Sequence, residues 1–120
     1  MIILKNLSNA GLSVLIMWFL SKEKLHGYIL IKKINQFFKP QIDHNLMTPI
    51  RASKMYPVLK RMEEDGLIIS SEGMHNNKKV KEYEITPQGY EVYHTIRLQL
   101  KEFIESDMWF DFLLDLLVTE

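Results

Sequence analysis

Residues 52–68 read ASKMYPVLKRMEEDGLI and combine an amphipathic helix with an abrupt end. Met55, Leu59 and Met62 recur at the i, i+4, i+7 spacing that places apolar side chains on one face of a helix. Gly66 follows them, and glycine readily adopts the left-handed conformation that ends many helices. The segment therefore predicts a helix packed on a core, which stops at Gly66 and continues into a strand. The residues expected on its exposed face are Ser53, Lys54, Lys60, Arg61 and Glu64.

A β-hairpin is predicted directly after this helix. Residues 67–71 and 80–86 are candidate strands, because both contain β-branched or aromatic residues and they flank the turn-forming sequence GMHNN at residues 73–77. Thr86 and Pro87 then form a predicted N-cap and first residue of a last helix. The order of elements is thus helix, hairpin, helix.

Short motifs along the chain carry a family resemblance. LHGY at residues 25–28 precedes the pattern Met-Tyr-Pro-x-Leu-x-x-Met-x-x-x-Gly-Leu-Ile at residues 55–68, and a basic hairpin then ends in Tyr-x-Ile-Thr-x-x-Gly at residues 83–89. Over residues 12–90 the chain resembles the PadR-like family of winged helix-turn-helix transcriptional regulators. The segment that joins the first two motifs is a few residues longer than is usual in the family.

The resemblance implies a fold that is mainly α with a small two-stranded β-wing, namely a winged helix-turn-helix plus a long C-terminal helix. Residues 1–86 would form the DNA-binding domain with its N-terminal helix, and residues 87–120 the dimerisation helix. The implied function is a sequence-specific regulator of transcription, expected to be a repressor, that binds an inverted-repeat operator in double-stranded DNA as a homodimer. Neither enzyme activity nor a cofactor is expected.

Basic and hydroxyl-bearing side chains of the third helix and the wing are the candidate DNA contacts. Arg61 and Lys54 can reach base edges, since arginine can bind guanine through two hydrogen bonds. The wing lysines suit phosphates, whose recognition is independent of sequence. The alternatives are a solvated helix face, packing of Tyr56 and burial of Tyr28. The predicted DNA-binding residues are Tyr28, Arg51, Ser53, Lys54, Tyr56, Lys60, Arg61, Lys78, Lys79 and Lys81.

Two helices are predicted upstream of the third, at residues 9–21 and 26–38. The second is expected to end at Lys39-Pro40 and to direct Leu30, Ile31, Ile34 and Phe37 inward. His26 is interpreted as a possible cap of this helix, and Gly27 as a point of close approach. The third helix starts either at Thr48-Pro49 or near Ser53. Its Pro57 lies in the first turn or at a kink, and the resemblance favours the early position.

The first and last helices are too apolar for a single small domain. In the first, capped by Ser8 or Asn9, Leu12, Leu15, Ile16 and Phe19 can face the core, which leaves Val14, Met17 and Trp18 in need of a second partner. The last helix is predicted to run from Pro87 to about Val118, with a single polar stripe of Asp107, Asp111 and Asp115. The predicted dimerisation residues are Trp18, Ile96, Leu100, Phe103, Trp109, Phe110, Leu113, Leu114 and Leu117.

The charge is balanced over the whole chain but unevenly distributed. Residues 1–99 hold 14 Lys and Arg against 9 Asp and Glu, whereas residues 100–120 hold one Lys against six acids. A basic face and an acidic far end are compatible with binding to DNA. The chain lacks cysteine, which favours a cytoplasmic location. The apolar run at residues 10–20 is too short to span a membrane, so no membrane partner is expected.

Catalytic and metal-binding patterns find little support. The chain has no Gly-x-Ser-x-Gly elbow, Walker loop or His-Glu-x-x-His pattern. Glu91-x-x-His94 alone does not make a di-iron site, so no metal is expected. Trp18 and Trp109 could line a pocket for a small hydrophobic effector, although plain core residues are the alternative. Two other functions stay open, a small-molecule sensor with a pocket at the dimer interface and a winged-helix module that binds proteins.

Overall fold

The computed structural model describes residues 8–118, which form a mainly helical fold with one small antiparallel sheet. This architecture confirms the predicted fold class. In chain order the elements are α1 (Asn9–Leu20), β1 (Leu25–His26), α2 (Gly27–Phe37), α3 (Lys39–Asp43), α4 (Ala52–Glu64), β2 (Ile68–His75), β3 (Lys78–Ile85), α5 (Pro87–Ile104) and α6 (Asp107–Val118).

The sheet has three strands in the order β1-β3-β2, one strand more than predicted. β1 contains only two residues, Leu25 and His26, which pair with Tyr83 and Glu82 of β3. A strand of two residues shows no alternation of polar and apolar side chains, so periodicity could not detect it. β2 and β3 pair along their whole length and form the hairpin called the wing below.

The wing turns at Asn76 and Asn77, which have φ angles of 50° and 65°. Positive φ at both central residues is the geometry of the two-residue type I′ turn, and asparagine tolerates it better than most residues. This tight turn lets the strands continue to His75 and Lys78. The five-residue tip that the sequence predicts is therefore mostly strand.

The end of α4 has the geometry that the sequence predicts. Gly66 has a φ of 77°, and its N–H donates to the Glu63 carbonyl at 3.0 Å. The Leu67 N–H donates to the Met62 carbonyl at 2.9 Å. These two bonds form a Schellman motif, in which a glycine in the left-handed region ends the helix and turns the chain into the next strand.

Helices α1 and α5 begin at predicted cap residues. The Ser8 hydroxyl accepts from the Gly11 N–H at 3.1 Å, and the Thr86 hydroxyl accepts from the Gly89 N–H at 2.9 Å. Gly89 also lies against the backbone of Leu67, where an added Cβ would collide with the carbonyl oxygen. α5 therefore leaves the wing in close contact with the start of β2.

The core lies between α1, α2, α4 and the sheet. α1 contacts α2, α4, α5 and β3, so several of its faces are covered within one chain. Met17 is consequently buried, contrary to the expectation that it needs a second partner, whereas Phe37 at the end of α2 is half exposed and not inward. The fully buried side chains are Leu12, Ile16, Met17, Leu30, Ile34, Met55, Leu59 and Ile68.

The segment between α2 and α4 contains a short helix where a loop is predicted. α3 starts directly after α2 with Pro40 in its first turn, a position that proline accepts because no helical N–H bond is needed there. Met47 and Ile50 then enter the core. α4 begins at Ala52 with Arg51 at the N-cap position. Of the two predicted starts, the later one is correct.

The last helix is interrupted, whereas the sequence predicts a continuous one. α5 ends at Ile104 and α6 begins at Asp107. The Ser106 hydroxyl donates to the Phe103 carbonyl at 2.8 Å and accepts from the Trp109 N–H at 3.3 Å. One hydroxyl thus closes α5 and caps α6. The apolar pattern continues across the break, which hid it from the sequence analysis.

Candidate nucleic-acid interface

The exposed face of α4 has a basic and hydroxyl-bearing first half. Ser53, Pro57, Lys60 and Glu64 recur at i, i+4, i+7, i+11 and are all exposed, opposite the side that the helix buries. Ser53 and Lys60 of the predicted set therefore occupy the middle of this face. Glu64 lies at the C-terminal end, where a negative charge would repel a polyanion. The N-terminal half is the part suited to nucleic acid.

The first turns of α4 are weakly held by the helix itself. Arg51 at the N-cap position makes no side-chain capping bond. Pro57 lies in the second turn, later than the favoured first-turn position, and it has no N–H to donate to the Ser53 carbonyl. Contacts with the rest of the fold must therefore position the beginning of this helix.

A cleft of about 430 Å³ lies between α4, the start of α2 and the wing. It brings together four of the predicted DNA-binding residues, Tyr28, Tyr56, Lys79 and Lys81. Two phenol hydroxyls and two ammonium groups can all donate hydrogen bonds, and the lysines add positive charge. The other residues that line the cleft are His26, Gly27, Val80 and Tyr83.

Tyr56 packs closely against Gly27 in this cleft. A Cβ on residue 27 would lie 2.7 Å from the Tyr56 hydroxyl oxygen and 2.8 Å from a ring carbon. Glycine is therefore required here by the close approach of the ring, as the sequence analysis expects. Tyr56 is 42% exposed, so it packs along one edge and still presents part of its ring to solvent.

Tyr28 projects from the first turn of α2 and is 55% exposed, which contradicts the alternative that it is buried. The Lys32 ammonium lies 5.2 Å from the centre of its ring, within the range of a cation–π contact. Behind the two tyrosines, burial and the nearby Glu63 and Tyr56 raise the pKa of Tyr83 above its ordinary value. Its phenol therefore stays neutral at physiological pH.

Lys54 and Arg61 lie on the opposite flank of α4. They line a groove of about 390 Å³ with Asn9, Ala10 and Ser13 of α1. Lys54 is half-buried, and the Arg61 Nε lies 3.4 Å from the Asp65 carboxylate in an exposed pair. The structure thus separates the two residues expected to read bases from the cleft that contains Tyr56.

The wing lysines are divided between the two faces of β3. Side chains alternate along a strand, so Lys79 and Lys81 share the face of the buried Tyr83, whereas Lys78 points to the other face. Only the first two line the cleft. The sequence predicts this alternation, but not which face lies towards α4.

A histidine pair lies on the outer face of the sheet. The ring centres of His26 and His75 are 4.7 Å apart, and His26 pairs in register with Glu82. His26 makes no capping bond, contrary to the sequence interpretation, and its Nδ1 is buried without a partner among the described residues. Burial and the nearby His75 lower the pKa of His26, and Glu82 partly opposes this. Long-range pairing created this cluster, so no local motif signalled it.

A large apolar surface extends over α5 and α6. Between α1 and α5 lies a groove of about 660 Å³, whose lining includes Trp18, Phe37, Ile96, Leu100 and Ile104. Of the predicted dimerisation residues, Leu100, Phe103, Phe110 and Leu114 are exposed, while Trp18, Ile96 and Trp109 are partly covered. The side chains of Leu113 and Leu117 lie outside the described residues.

Trp109 is held between two aromatic neighbours at the start of α6. Its ring centre lies 4.9 Å from that of Phe103 and 5.5 Å from that of Phe112. The indole Nε1 is buried and has no hydrogen-bond acceptor in the part of the chain that the structure describes. A donor in this state leaves one hydrogen bond to be formed with another molecule or segment.

Over residues 8–118 no cluster of three or more His, Asp or Glu side chains could hold a metal ion. The same part of the chain contains no helix that is both long and apolar enough to cross a membrane.

Comparison with known proteins gives a family and several similar folds. The model of the family described as "Transcriptional regulator PadR-like family" matches residues 16–95. No curated protein matches the chain significantly.

Three solved structures illustrate the similarity. A PadR family regulator from Eggerthella lenta is 29% identical, with a TM-score of 0.55 and coverage of 93% of this chain and 87% of that one. A PadR family regulator from Clostridium difficile is 26% identical, with a TM-score of 0.60 and coverage of 85% and 97%. Bacillus subtilis PadR in complex with operator DNA is 26% identical, with a TM-score of 0.54 and coverage of 70% and 45%.

Proposed function

This chain belongs to the Transcriptional regulator PadR-like family, and we propose that it represses transcription as a homodimer bound to an inverted-repeat operator. The cleft that joins Tyr28 and Tyr56 to Lys79 and Lys81 is the observation that carries the DNA-binding part of this proposal. Hydroxyl and ammonium groups on a rigid scaffold are the donors that bind phosphate oxygens in protein–DNA complexes. The similarity to Bacillus subtilis PadR, solved with operator DNA, supports the same partner.

Helix and wing have different tasks in this proposal. The first half of α4 enters the major groove, where Ser53 and Lys60 on the middle of its exposed face meet base edges. The cleft residues hold the adjacent phosphates and set the depth of the helix. Arg61 and Lys54 on the flank bind the opposite side of the groove, with Arg51 near the start of the helix.

The homodimer follows from the surface of α5 and α6. Phe103, Phe110 and Leu114 are exposed on these helices in the single chain. Contiguous apolar surface of this kind marks an interface, and a two-fold dimer is the commonest way to cover it. The same symmetry would present two copies of α4 to half-sites about one helical turn of DNA apart.

Selection of DNA from a random pool by the purified protein tests the proposal. Enrichment of an inverted repeat is expected, together with affinity that falls as the salt concentration rises. Absence of binding to any duplex at low salt would contradict it and favour a winged-helix module that binds proteins.

A second candidate function, sensing of a small hydrophobic molecule, is favoured by the groove between α1 and α5. Its volume of about 660 Å³ lies within the range of small-molecule sites, and Trp18 contributes a flat aromatic wall. Planar aromatic compounds should quench tryptophan fluorescence and weaken operator binding together, since a ligand shifts an equilibrium only by differential affinity. Quenching with unchanged DNA affinity would indicate a pocket without a sensory role.

A further inference from the structure

The connection between α2 and α4 is fastened by a side chain that the DNA-binding surface does not include. The Asn35 Oδ1 accepts from the Ile50 N–H at 2.7 Å, and the Asn35 Nδ2 donates to the Ile50 carbonyl at 2.9 Å. One amide thus satisfies both backbone polar groups of a residue that is 15 positions away and lies two residues before the start of α4.

This pair of bonds acts where α4 has little support of its own. Arg51 makes no capping bond, and Pro57 leaves the Ser53 carbonyl without its helical donor. The Ile50 side chain is buried, so its backbone is also withdrawn from water. Loss of the Asn35 amide would leave that N–H and C=O without partners, a state that folded proteins avoid by moving the chain.

We propose that Asn35 is a positioning residue for sequence recognition, because its amide fixes the place at which α4 enters the DNA surface. The inference rests on the proposed function, since it assumes that α4 reads the operator. A shift of the Ile50 backbone moves Arg51 and Ser53 directly, whereas the wing lysines are carried by a separate hairpin. Disturbing Asn35 therefore reduces discrimination between sequences more than it reduces general affinity for DNA.

The test compares Asn35→Asp with Gln36→Ala. Aspartate has nearly the shape of asparagine and keeps an acceptor for the Ile50 N–H, but it places an oxygen without a proton against the Ile50 carbonyl. Gln36 is the next residue of α2, is exposed and makes no side-chain hydrogen bond in the described part of the chain, so its removal controls for a change in this helix. Circular dichroism identifies a temperature at which all variants are folded.

Binding is then measured to the selected operator and to random duplex. For Asn35→Asp the operator-to-random affinity ratio should fall about tenfold, comparable to the removal of one good hydrogen-bonded interaction with a base, while affinity for random duplex changes less than about threefold. Gln36→Ala should match the wild type in both values. A folded Asn35→Asp protein with the wild-type ratio would overturn the proposal.

Two further measurements keep the outcome decisive. Asn35→Ala adds no charge and provides the same ratio if Asn35→Asp does not fold. In the wild type, the Ile50 amide should be protected against hydrogen exchange, and exchange at the rate of a free amide would show that the bond is absent and refute the proposal. If the wild type itself selects no sequence, the proposed function fails, which is distinct from failure of the Asn35 role.

Discussion

At the residue scale, Tyr56 joins α4 to the start of α2 and to the wing. Its hydroxyl lies in the cleft, and its ring is held against Gly27. Tyr56→Phe keeps this packing and removes only the hydroxyl. We expect it to weaken operator and random DNA alike, by about 1.5 kcal/mol or roughly tenfold, because the variant cannot donate a hydrogen bond to a charged phosphate. Tyr90→Phe on α5, with a similarly exposed tyrosine, is the control in the same binding titration.

The partly buried ring of His26 links acidity to stability. Its pKa is lowered in the folded protein, so the unfolded chain binds the proton more tightly. This contribution therefore destabilises the fold as the pH falls below the ordinary histidine value of about 6.5 and is fully expressed below the folded pKa. We expect the free energy of unfolding of His26→Asn, measured by urea denaturation, to decrease less than that of the wild type between about pH 7.5 and 5.

His44→Asn is the control for this measurement, because His44 is an exposed histidine just after α3. It should follow the wild-type pH dependence. If His26→Asn and His44→Asn changed the profile equally, burial of His26 would not be the cause.

At the element scale, the two faces of β3 should contribute unequally to DNA binding. Lys79 and Lys81 line the cleft beside α4, and Lys78 points away from it. Lys79→Ala should reduce the magnitude of the salt slope of log affinity by about one for each phosphate that a subunit no longer neutralises, because fewer counterions are released. Lys78→Ala removes the same charge from the other face and should change the slope less. Equal slopes for the two variants would contradict the assignment of the faces.

At the scale of the whole molecule, the exposed surface of α5 and α6 requires a partner. Phe110 is 59% exposed, and the Trp109 indole N–H has no acceptor within the described residues. Phe110→Asp should dissociate or unfold the protein, since it places a charge without a counterion in an apolar interface. Sedimentation velocity measures this, with Asp111→Asn on the polar side of the same helix as control. A folded wild-type monomer at micromolar concentration would refute the homodimer.

Features that depend on a few neighbouring residues could be predicted from the sequence. The faces of α1 and α4, the caps at Ser8 and Thr86, and the glycine that ends α4 at Gly66 all appear in the structure. Their determinants act within one or two turns of helix, so spacing and residue type are sufficient. The break at Ser106 is also local, but a continuing apolar pattern masked the capping serine.

The tertiary structure alone determined how distant segments meet. β1 forms only because β3 offers a free edge to Leu25 and His26. Asn35 reaches Ile50 across 15 positions, and the wing lysines reach Tyr56 only after the hairpin folds back beside α4. These contacts depend on the relative placement of packed elements, which periodicity and capping rules do not encode. The sequence therefore determined the elements and the family resemblance, whereas packing decided which predicted DNA-binding residues share one cleft.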